Sequence, residues 1–208
     1  MRLSPWAVRV LTRCAATIAK VRRRLAPREY AALELGTASW ISYALCAFCE
    51  LGLPDALTAA QTPEELAAAG YGSAPLLSRL LRSLAAYDVV KRRRDGRYTL
   101  AHAGLALTGR SSVAPMIRYA NAPWHAAAYH RLADAVRNGA DGFTLAHERP
   151  LFAYLAQQPA ASNLFDGAMN ALGELYAEPF ARAYDFSTIR TVVDVGGGTG
   201  ALLAAVRE

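Results

Sequence analysis

The stretch Thr191-Val-Val-Asp194-Val-Gly196-Gly-Gly198-Thr-Gly200-Ala-Leu-Leu-Ala-Ala-Val-Arg-Glu208 joins an apolar β-branched run to an Ala/Leu-rich run through four glycines. The first run, Val192 to Val195, predicts a short buried strand, and the second predicts a helix. Glycines at such a junction permit a sharp turn, and backbone N–H groups at the positive end of the helix can then hold a ligand. The stretch therefore predicts a strand–turn–helix unit with a nucleotide-type site.

The spacing of the glycines fits two kinds of site. Gly196-x-Gly198-x-x-Ala201 satisfies the dinucleotide fingerprint with alanine in the third place, which leaves an NAD-type Rossmann enzyme as an alternative. Asp194-x-Gly196-x-Gly198-x-Gly200 is similar to motif I of class I S-adenosylmethionine methyltransferases. We favour the second, because an acid two residues before the first glycine can receive the amino group of the cofactor's methionine part.

Three further motifs precede this stretch, in the order Phe152-Ala-Tyr-Leu155, Asn163-Leu-Phe165-Asp-Gly-Ala-Met169 and Tyr184-Asp-Phe-Ser187. Together with the glycines they resemble the small-molecule O-methyltransferases of plants and bacterial natural-product pathways. The resemblance implies S-adenosyl-L-methionine as the cofactor, a homodimer, and an aromatic or polyketide-like small molecule as the methyl acceptor.

The same resemblance implies a mainly α fold with three parts. Residues 1–105 would form a helical and winged-helix dimerisation domain, and residues 106–187 a helical acceptor-side region. Residues 188–208 would start a truncated α/β Rossmann-like domain with its first βα unit.

The resemblance also implies roles for individual residues. Asp194, Gly196, Gly198 and Gly200 would contact the cofactor, with Phe165 and Met169 near the methyl donor. The aromatic residues that would stack on a planar phenol are Trp124, His125 and Tyr129. The general base and the ribose-binding acid of the family are expected beyond Glu208, so no catalytic residue is assigned.

The position of the C-terminus suggests three hypotheses about the chain. It is a truncated product, one half of a split enzyme completed by a second polypeptide, or an inactive relative. We favour the first, because the chain ends inside a predicted helix that lacks a stop signal.

Residues 62–100 predict two helices and a hairpin, which is the order of a winged helix-turn-helix. Thr62-Pro63 is a good helix start, Ser73 caps a Leu-rich helix, and Asp95-Gly96 is a strong hairpin turn signal. Lys91 to Arg94 make the hairpin basic, so a nucleic-acid-binding regulator is a second alternative. The family uses this unit to dimerise, and we therefore do not expect nucleic acid to be a partner.

Composition indicates a globular protein, with 53% hydrophobic and 19% charged residues and a net charge of +6. The basicity is concentrated in an amphipathic helix predicted from Pro5 to Leu25. We find no apolar run of ~20 residues and no cleavable signal, so we expect a soluble cytoplasmic protein without membrane contact.

Cys46 and Cys49 are interpreted as core residues, and the histidines lack metal-ligand spacing, so no metal site is expected.

Overall fold

The computed structural model describes residues 5–109, 112–197 and 200–207, which divide into two compact units, Met1–Ile41 and Ser42–Glu208. The structure is mostly helical, with one two-stranded antiparallel sheet in its described part. The elements are α1 Pro5–Leu25, α2 Arg28–Gly36, α3 Ala38–Glu50, α4 Leu53–Ala56, α5 Pro63–Ala68, α6 Ala74–Ala85, β1 Val90–Arg92, β2 Tyr98–Leu100, α7 His102–Leu105, α8 Ala114–Asn121, α9 Pro123–His130, α10 Leu132–Asn138, α11 Gly142–His147, α12 Leu151–Leu155, α13 Pro159–Ala183 and α14 Ala201–Arg207.

The first unit consists of α1, α2 and the start of α3. The helix predicted over residues 5–25 is confirmed as α1, and an ion pair between Arg22 and Glu34 ties it to α2. The apolar side chains of α1 are not covered, since Trp6 is 68% exposed and Leu25 is 82% exposed.

The stretch Arg28–Glu50 is long and apolar enough to cross a membrane by length and composition alone. This finding corrects the expectation that no apolar run approaches that length. The stretch is divided at Thr37 into α2 and α3, and its exposed residues include Leu33 and Trp40. The last turns of α3 are buried at Cys46, Phe48 and Cys49, which confirms the core interpretation of the two cysteines.

The predicted helix start at Thr62 is confirmed as a complete capping box. The Glu65 backbone N–H donates to the Thr62 hydroxyl at 3.1 Å, and the Thr62 N–H donates to the Glu65 carboxylate at 2.8 Å. The Arg97 guanidinium donates two further hydrogen bonds to that carboxylate, at 2.6 and 2.7 Å. These bonds tie the start of α5 to the hairpin.

The predicted hairpin is confirmed, with Arg92 opposite Tyr98 and a turn in which Gly96 has φ +82°. Its inner face joins a core to which α6 contributes Leu77, Leu81 and Leu84. Helix α7 lies against β1 so closely that a Cβ at Gly104 would be 2.0 Å from the Val89 carbonyl oxygen. A side chain at that position is therefore excluded.

The helices between residues 106 and 187 are short except for α13, which has 25 residues. The helical pattern of residues 115–137 corresponds to three helices, because Ala122 adopts the extended conformation that a following proline imposes and Arg131 ends a second segment. The sequence indicates a helix start at Ser162, but α13 begins three residues earlier, with Pro159 in the first turn, where a missing N–H costs nothing.

The strand predicted from Val192 to Val195 is not formed, since residues 191–194 are irregular and a turn follows. A strand is stable only when its N–H and C=O groups pair with a neighbour, and no described residue provides one here. The helix expected after the glycines is confirmed as α14, which packs against α13. On another part of its surface α13 packs against α8.

Candidate active site

The glycine-rich turn before α14 encloses the carboxylate of Asp194. The Oδ2 atom is buried and has no hydrogen-bond partner among the described residues. A Cβ added to Gly197 would lie 2.3 Å from that atom, so the turn leaves room for the carboxylate only because residue 197 is glycine. Gly196 and Gly200 have φ near +80°, a conformation that disfavours other residues. Gly198 lies outside the described residues.

Helix α14 begins at the end of this turn. The Gly200 N–H donates to the Gly197 carbonyl at 2.8 Å, and the Ala204 N–H donates to the Gly200 carbonyl at 3.0 Å. The Asp194 carboxylate is thus enclosed by the same turn that starts the helix.

The residues of this turn fit the methionine end of S-adenosylmethionine. A buried carboxylate oxygen without a partner is costly, and an ammonium group is the kind of partner that removes the cost. At Gly196 and Gly200 nothing lies within 4 Å of an added Cβ, so the backbone there is open to close approach, as a bound nucleotide requires. Asp194 would receive the amino group, and the turn would lie against the rest of the cofactor.

Tyr119 is the centre of an aromatic cluster formed by α8, α9 and α13. It is 7% exposed, and its ring centroid lies 4.3 Å from that of His125, 5.6 Å from Trp124 and 5.6 Å from Phe165. Burial raises the pKa of the Tyr119 hydroxyl, with a smaller contribution from Tyr129. Tyr129 contacts His125 at 5.3 Å but is itself 64% exposed. The cluster therefore has a buried centre and an open edge.

Trp124 also contacts aromatic residues of α11 and α12. Its indole stacks on Tyr154 of α12, with centroids 5.8 Å apart and 29° between the planes. Phe143 meets the indole edge-on at 6.2 Å. His147 accompanies Phe143 on α11, and its Nε2 lies 2.7 Å from the Trp124 carbonyl oxygen. Two short helices, α11 and α12, thus fix the orientation of one tryptophan.

Helix α13 connects the aromatic cluster to the glycine-rich turn. Phe165 contacts the cluster, while a Cβ at Gly173 would lie 3.6 Å from Ala201, the first residue of α14. Met169 is half-buried between them. Residues four apart share a helix face and are separated by about 6 Å of rise, so Phe165, Met169 and Gly173 form one line from the cluster to the turn.

The predicted site residues therefore form two groups, one near Phe165 and the other near Gly173 of α13. Trp124, His125 and Tyr129 share the cluster with Phe165, whereas Asp194, Gly196 and Gly200 form the turn. Sequence reasoning missed Tyr119, Phe143, His147 and Tyr154, all of which contact these residues. Tyr154 lies inside the motif Phe152-Ala-Tyr-Leu155, which was the available signal for it, whereas the other three lie outside the quoted motifs.

Two clefts of about 400 and 390 Å³ lie elsewhere, and neither is lined by a predicted site residue. The larger lies between Phe186 and Leu203, and the smaller lies beside Cys49 and Arg118.

Burial raises the pKa of Cys49 to about 11, which keeps this thiol protonated and unreactive near neutral pH. Within the part of the chain that the structure describes, no three His, Cys, Asp or Glu residues are grouped as metal ligands.

Two family models match this chain over most of its length. The O-methyltransferase dimerisation domain matches residues 33–110, and the O-methyltransferase domain matches residues 129–208. The first match contains the hairpin, and the second contains Tyr129, α13 and the glycine-rich turn.

Individual proteins show the same similarity. The 8-amino-8-demethylriboflavin N,N-dimethyltransferase of Streptomyces davaonensis is 34% identical, over 80% of this chain and 49% of its own length. The phenazine O-methyltransferase PhzM of Lysobacter antibioticus is 33% identical, over 84% of this chain and 52% of its own length. The chain spans about half the length of the curated relatives it matches.

Among solved structures, the S-adenosylhomocysteine-bound form of CalO1, a methyltransferase in calicheamicin biosynthesis, superimposes with a TM-score of 0.74 and 33% identity. That match covers 87% of this chain and 56% of the CalO1 chain. The chain belongs to the S-adenosylmethionine-dependent O-methyltransferase family that these two domains define.

Proposed function

We propose that the protein transfers a methyl group from S-adenosylmethionine to a hydroxyl group of a small, planar aromatic or polyketide-like secondary metabolite. The observation that supports this function best is the line of side chains along α13. It connects a cofactor-type turn at Asp194 to an aromatic cluster at Trp124, as transfer between two bound molecules requires.

The cofactor supplies an electrophilic methyl group on its sulfonium sulfur. In the proposal, Asp194 receives the amino group, and Gly196, Gly198 and Gly200 allow the backbone to approach the cofactor. Phe165 and Met169 exclude water from the space between donor and acceptor. Their position on α13 supports this role, because both lie between the cluster and the turn.

The acceptor is proposed to lie at the open edge of the aromatic cluster, against Trp124, His125 and Tyr129. The exposure of Tyr129, at 64%, supports an edge that a flat ring can reach. The relatives named for phenazine and riboflavin derivatives act on fused planar rings, which favours the same class of acceptor here.

No described residue is assigned as the general base. The His125 Nδ1 lies 3.3 Å from the Ala120 carbonyl oxygen, and His147 is bonded to the Trp124 carbonyl. Both rings are held by backbone groups, which supports a positioning role for each.

We further propose the domain boundaries that follow from this function. Residues 1–105 form a dimerisation domain with a winged-helix unit, 106–187 the acceptor-side region, and 188–208 the start of a Rossmann-like domain. The apolar side chains exposed on α2 and α3, including Leu33 and Trp40, support a homodimer, because a second subunit would remove them from water. We place this dimer in the cytoplasm.

The experiment is a methyl-transfer assay on the protein expressed from its complete reading frame, with radiolabelled S-adenosylmethionine and a panel of hydroxylated phenazines, flavins and simple phenols. We expect Trp124→Ala to raise the KM for the acceptor about tenfold while leaving the KM for the cofactor unchanged. We expect Asp194→Asn to raise the KM for the cofactor about tenfold while leaving the KM for the acceptor unchanged. Labelling of none of the acceptors, or identical effects of the two variants, would contradict the proposal.

A further inference from the structure

The outer face of α6 combines exposed cations with an exposed leucine. Leu77, Leu81 and Leu84 bury one side of the helix. Leu76, Arg79 and Arg82 lie on the opposite side and are exposed, Leu76 at 62%. At 3.6 residues per turn these three side chains fall within one arc, so the helix presents them together.

The hairpin beside α6 carries further exposed cations. Helix α6 packs against β1, and the exposed residues Lys91 to Arg94 follow along the strand and its turn. Tyr87, which is 59% exposed, lies between the helix and the strand. We name this surface the basic face, and it consists of Leu76, Arg79, Arg82, Tyr87, Lys91, Arg92, Arg93 and Arg94.

The cations of the basic face have no ion-pair partner among the described residues. Arg97, at the end of the same hairpin, is paired twice with Glu65. By contrast, no carboxylate of a described residue forms an ion pair with Arg79, Arg82 or any residue from Lys91 to Arg94. The exposed carboxylates of Asp88 and Asp95 lie in the same segment, but the six cations outnumber them, and an excess of positive charge attracts anionic molecules.

The exposed apolar residues distinguish between the possible anionic partners. Phosphate groups of a nucleic acid are bound by cations and other hydrogen-bond donors, and an exposed leucine adds nothing to those contacts. Protein interfaces instead have an apolar centre with a polar rim, and they are enriched in Tyr and Arg. Leu76 and Tyr87 among six cations have this composition.

We propose that the basic face binds an acidic protein partner, whose surface presents apolar side chains among Asp and Glu residues. Leu76 and Tyr87 provide the apolar contact, and the surrounding cations pair with the carboxylates. This surface does not include a residue of the candidate active site, so the proposal is independent of the reaction.

The test measures fluorescence anisotropy of a labelled amphipathic helical peptide of about 20 Leu and Glu residues with the 208-residue chain. We expect saturable binding that weakens about tenfold in Leu76→Ala/Tyr87→Ala and in Arg92→Ser/Arg93→Ser. The matched controls are Leu132→Ala and Lys20→Ser, which remove an exposed leucine and an exposed cation from other helices. These should bind the peptide as the unmodified chain does.

A labelled DNA duplex of equal charge tests the competing partner in parallel. The proposal is overturned if the peptide fails to bind at about 100 µM, or if the Leu76/Tyr87 variant binds it normally. It is also overturned if the duplex binds more tightly than the peptide and is insensitive to the loss of Leu76 and Tyr87. All substituted side chains are exposed, and circular dichroism verifies that each variant is folded.

Discussion

The Nε2 atom of His147 donates a hydrogen bond to the carbonyl oxygen of Trp124 over 2.7 Å, which joins α11 to the first turn of α9. A carbonyl oxygen only accepts, so Nε2 carries the proton. His147→Ala removes this bond together with ring contacts to Phe143 and Tyr154. We expect it to lower the free energy of unfolding by about 2 kcal/mol, measured by urea denaturation.

The control for this prediction is His130→Ala. His130 is exposed at the end of α9, so its removal should change the free energy of unfolding by no more than about 0.5 kcal/mol. Equal destabilisation by both substitutions would show that the bond from His147 to Trp124 adds nothing measurable to the free energy of unfolding.

Glu65 makes the stability of the protein depend on acid pH. Its pKa is lowered, first by the hydrogen bond from the Thr62 backbone and then by the bonds and charge of Arg97. A carboxylate whose pKa is lower in the folded state stabilises the protein above the unfolded-state pKa, and this contribution is lost as the pH falls through the folded-state pKa. Glu65→Gln should therefore reduce the loss of thermal stability below about pH 4.5.

Melting temperatures measured between neutral pH and pH 3 would test this prediction. Glu64→Gln serves as the control, because the neighbouring side chain takes no part in the capping box or the ion pair. If both variants keep the pH dependence of the unmodified chain, the Glu65 contacts do not contribute to acid sensitivity.

Glu148 ends α11 in a left-handed conformation, with φ +59°. Glycine adopts this conformation without strain, and we expect Glu148→Gly to raise the free energy of unfolding by about 0.5 kcal/mol despite greater freedom in the unfolded chain.

The opposite substitution can be made at Gly139, which ends α10 with φ +63° and has open space around it. Gly139→Ala should cost about 1 kcal/mol, and calorimetry that showed the opposite signs would refute this explanation.

Gly104 is required by the contact between α7 and β1. Gly104→Ala places a methyl group 2.0 Å from the Val89 carbonyl oxygen, so the helix must move away from the strand. We expect a loss of about 3 kcal/mol in the free energy of unfolding. Gly36→Ala, where nothing lies within 4 Å of the new Cβ, should be neutral or slightly stabilising in the same denaturation experiment.

Local signals made part of the fold predictable from the sequence. The cap at Thr62 and the turn at Asp95-Gly96 act through neighbouring residues, and both are found where they were predicted. The strand at Val192 to Val195 was wrong because a β-branched run becomes a strand only beside another strand. The interruption at Ala122 was predictable from Pro123, because a residue before proline avoids the helical conformation. The helical periodicity of the residues on both sides made this signal easy to overlook.

In the candidate site, as in the fold, only the residues with a local sequence signal were predictable. The glycine-rich turn and Asp194 were identified because their chemistry is contained in a few consecutive residues. Tyr119, the centre of the aromatic cluster, was missed because only tertiary packing places it between α9 and α13. The sequence likewise gave no indication that His147 would hold Trp124, since the two residues are on different helices.

The central claim, that Asp194 belongs to an S-adenosylmethionine site, is tested most directly by isothermal titration of the protein expressed from its complete reading frame. The account predicts binding of S-adenosylmethionine that Asp194→Ala weakens by about tenfold or more, because a buried charge-assisted hydrogen bond is lost. Asp166→Ala, which removes an exposed carboxylate from α13, should leave the affinity unchanged. Equal affinity of the Asp194→Ala variant, or binding of NAD in place of S-adenosylmethionine, would contradict the account.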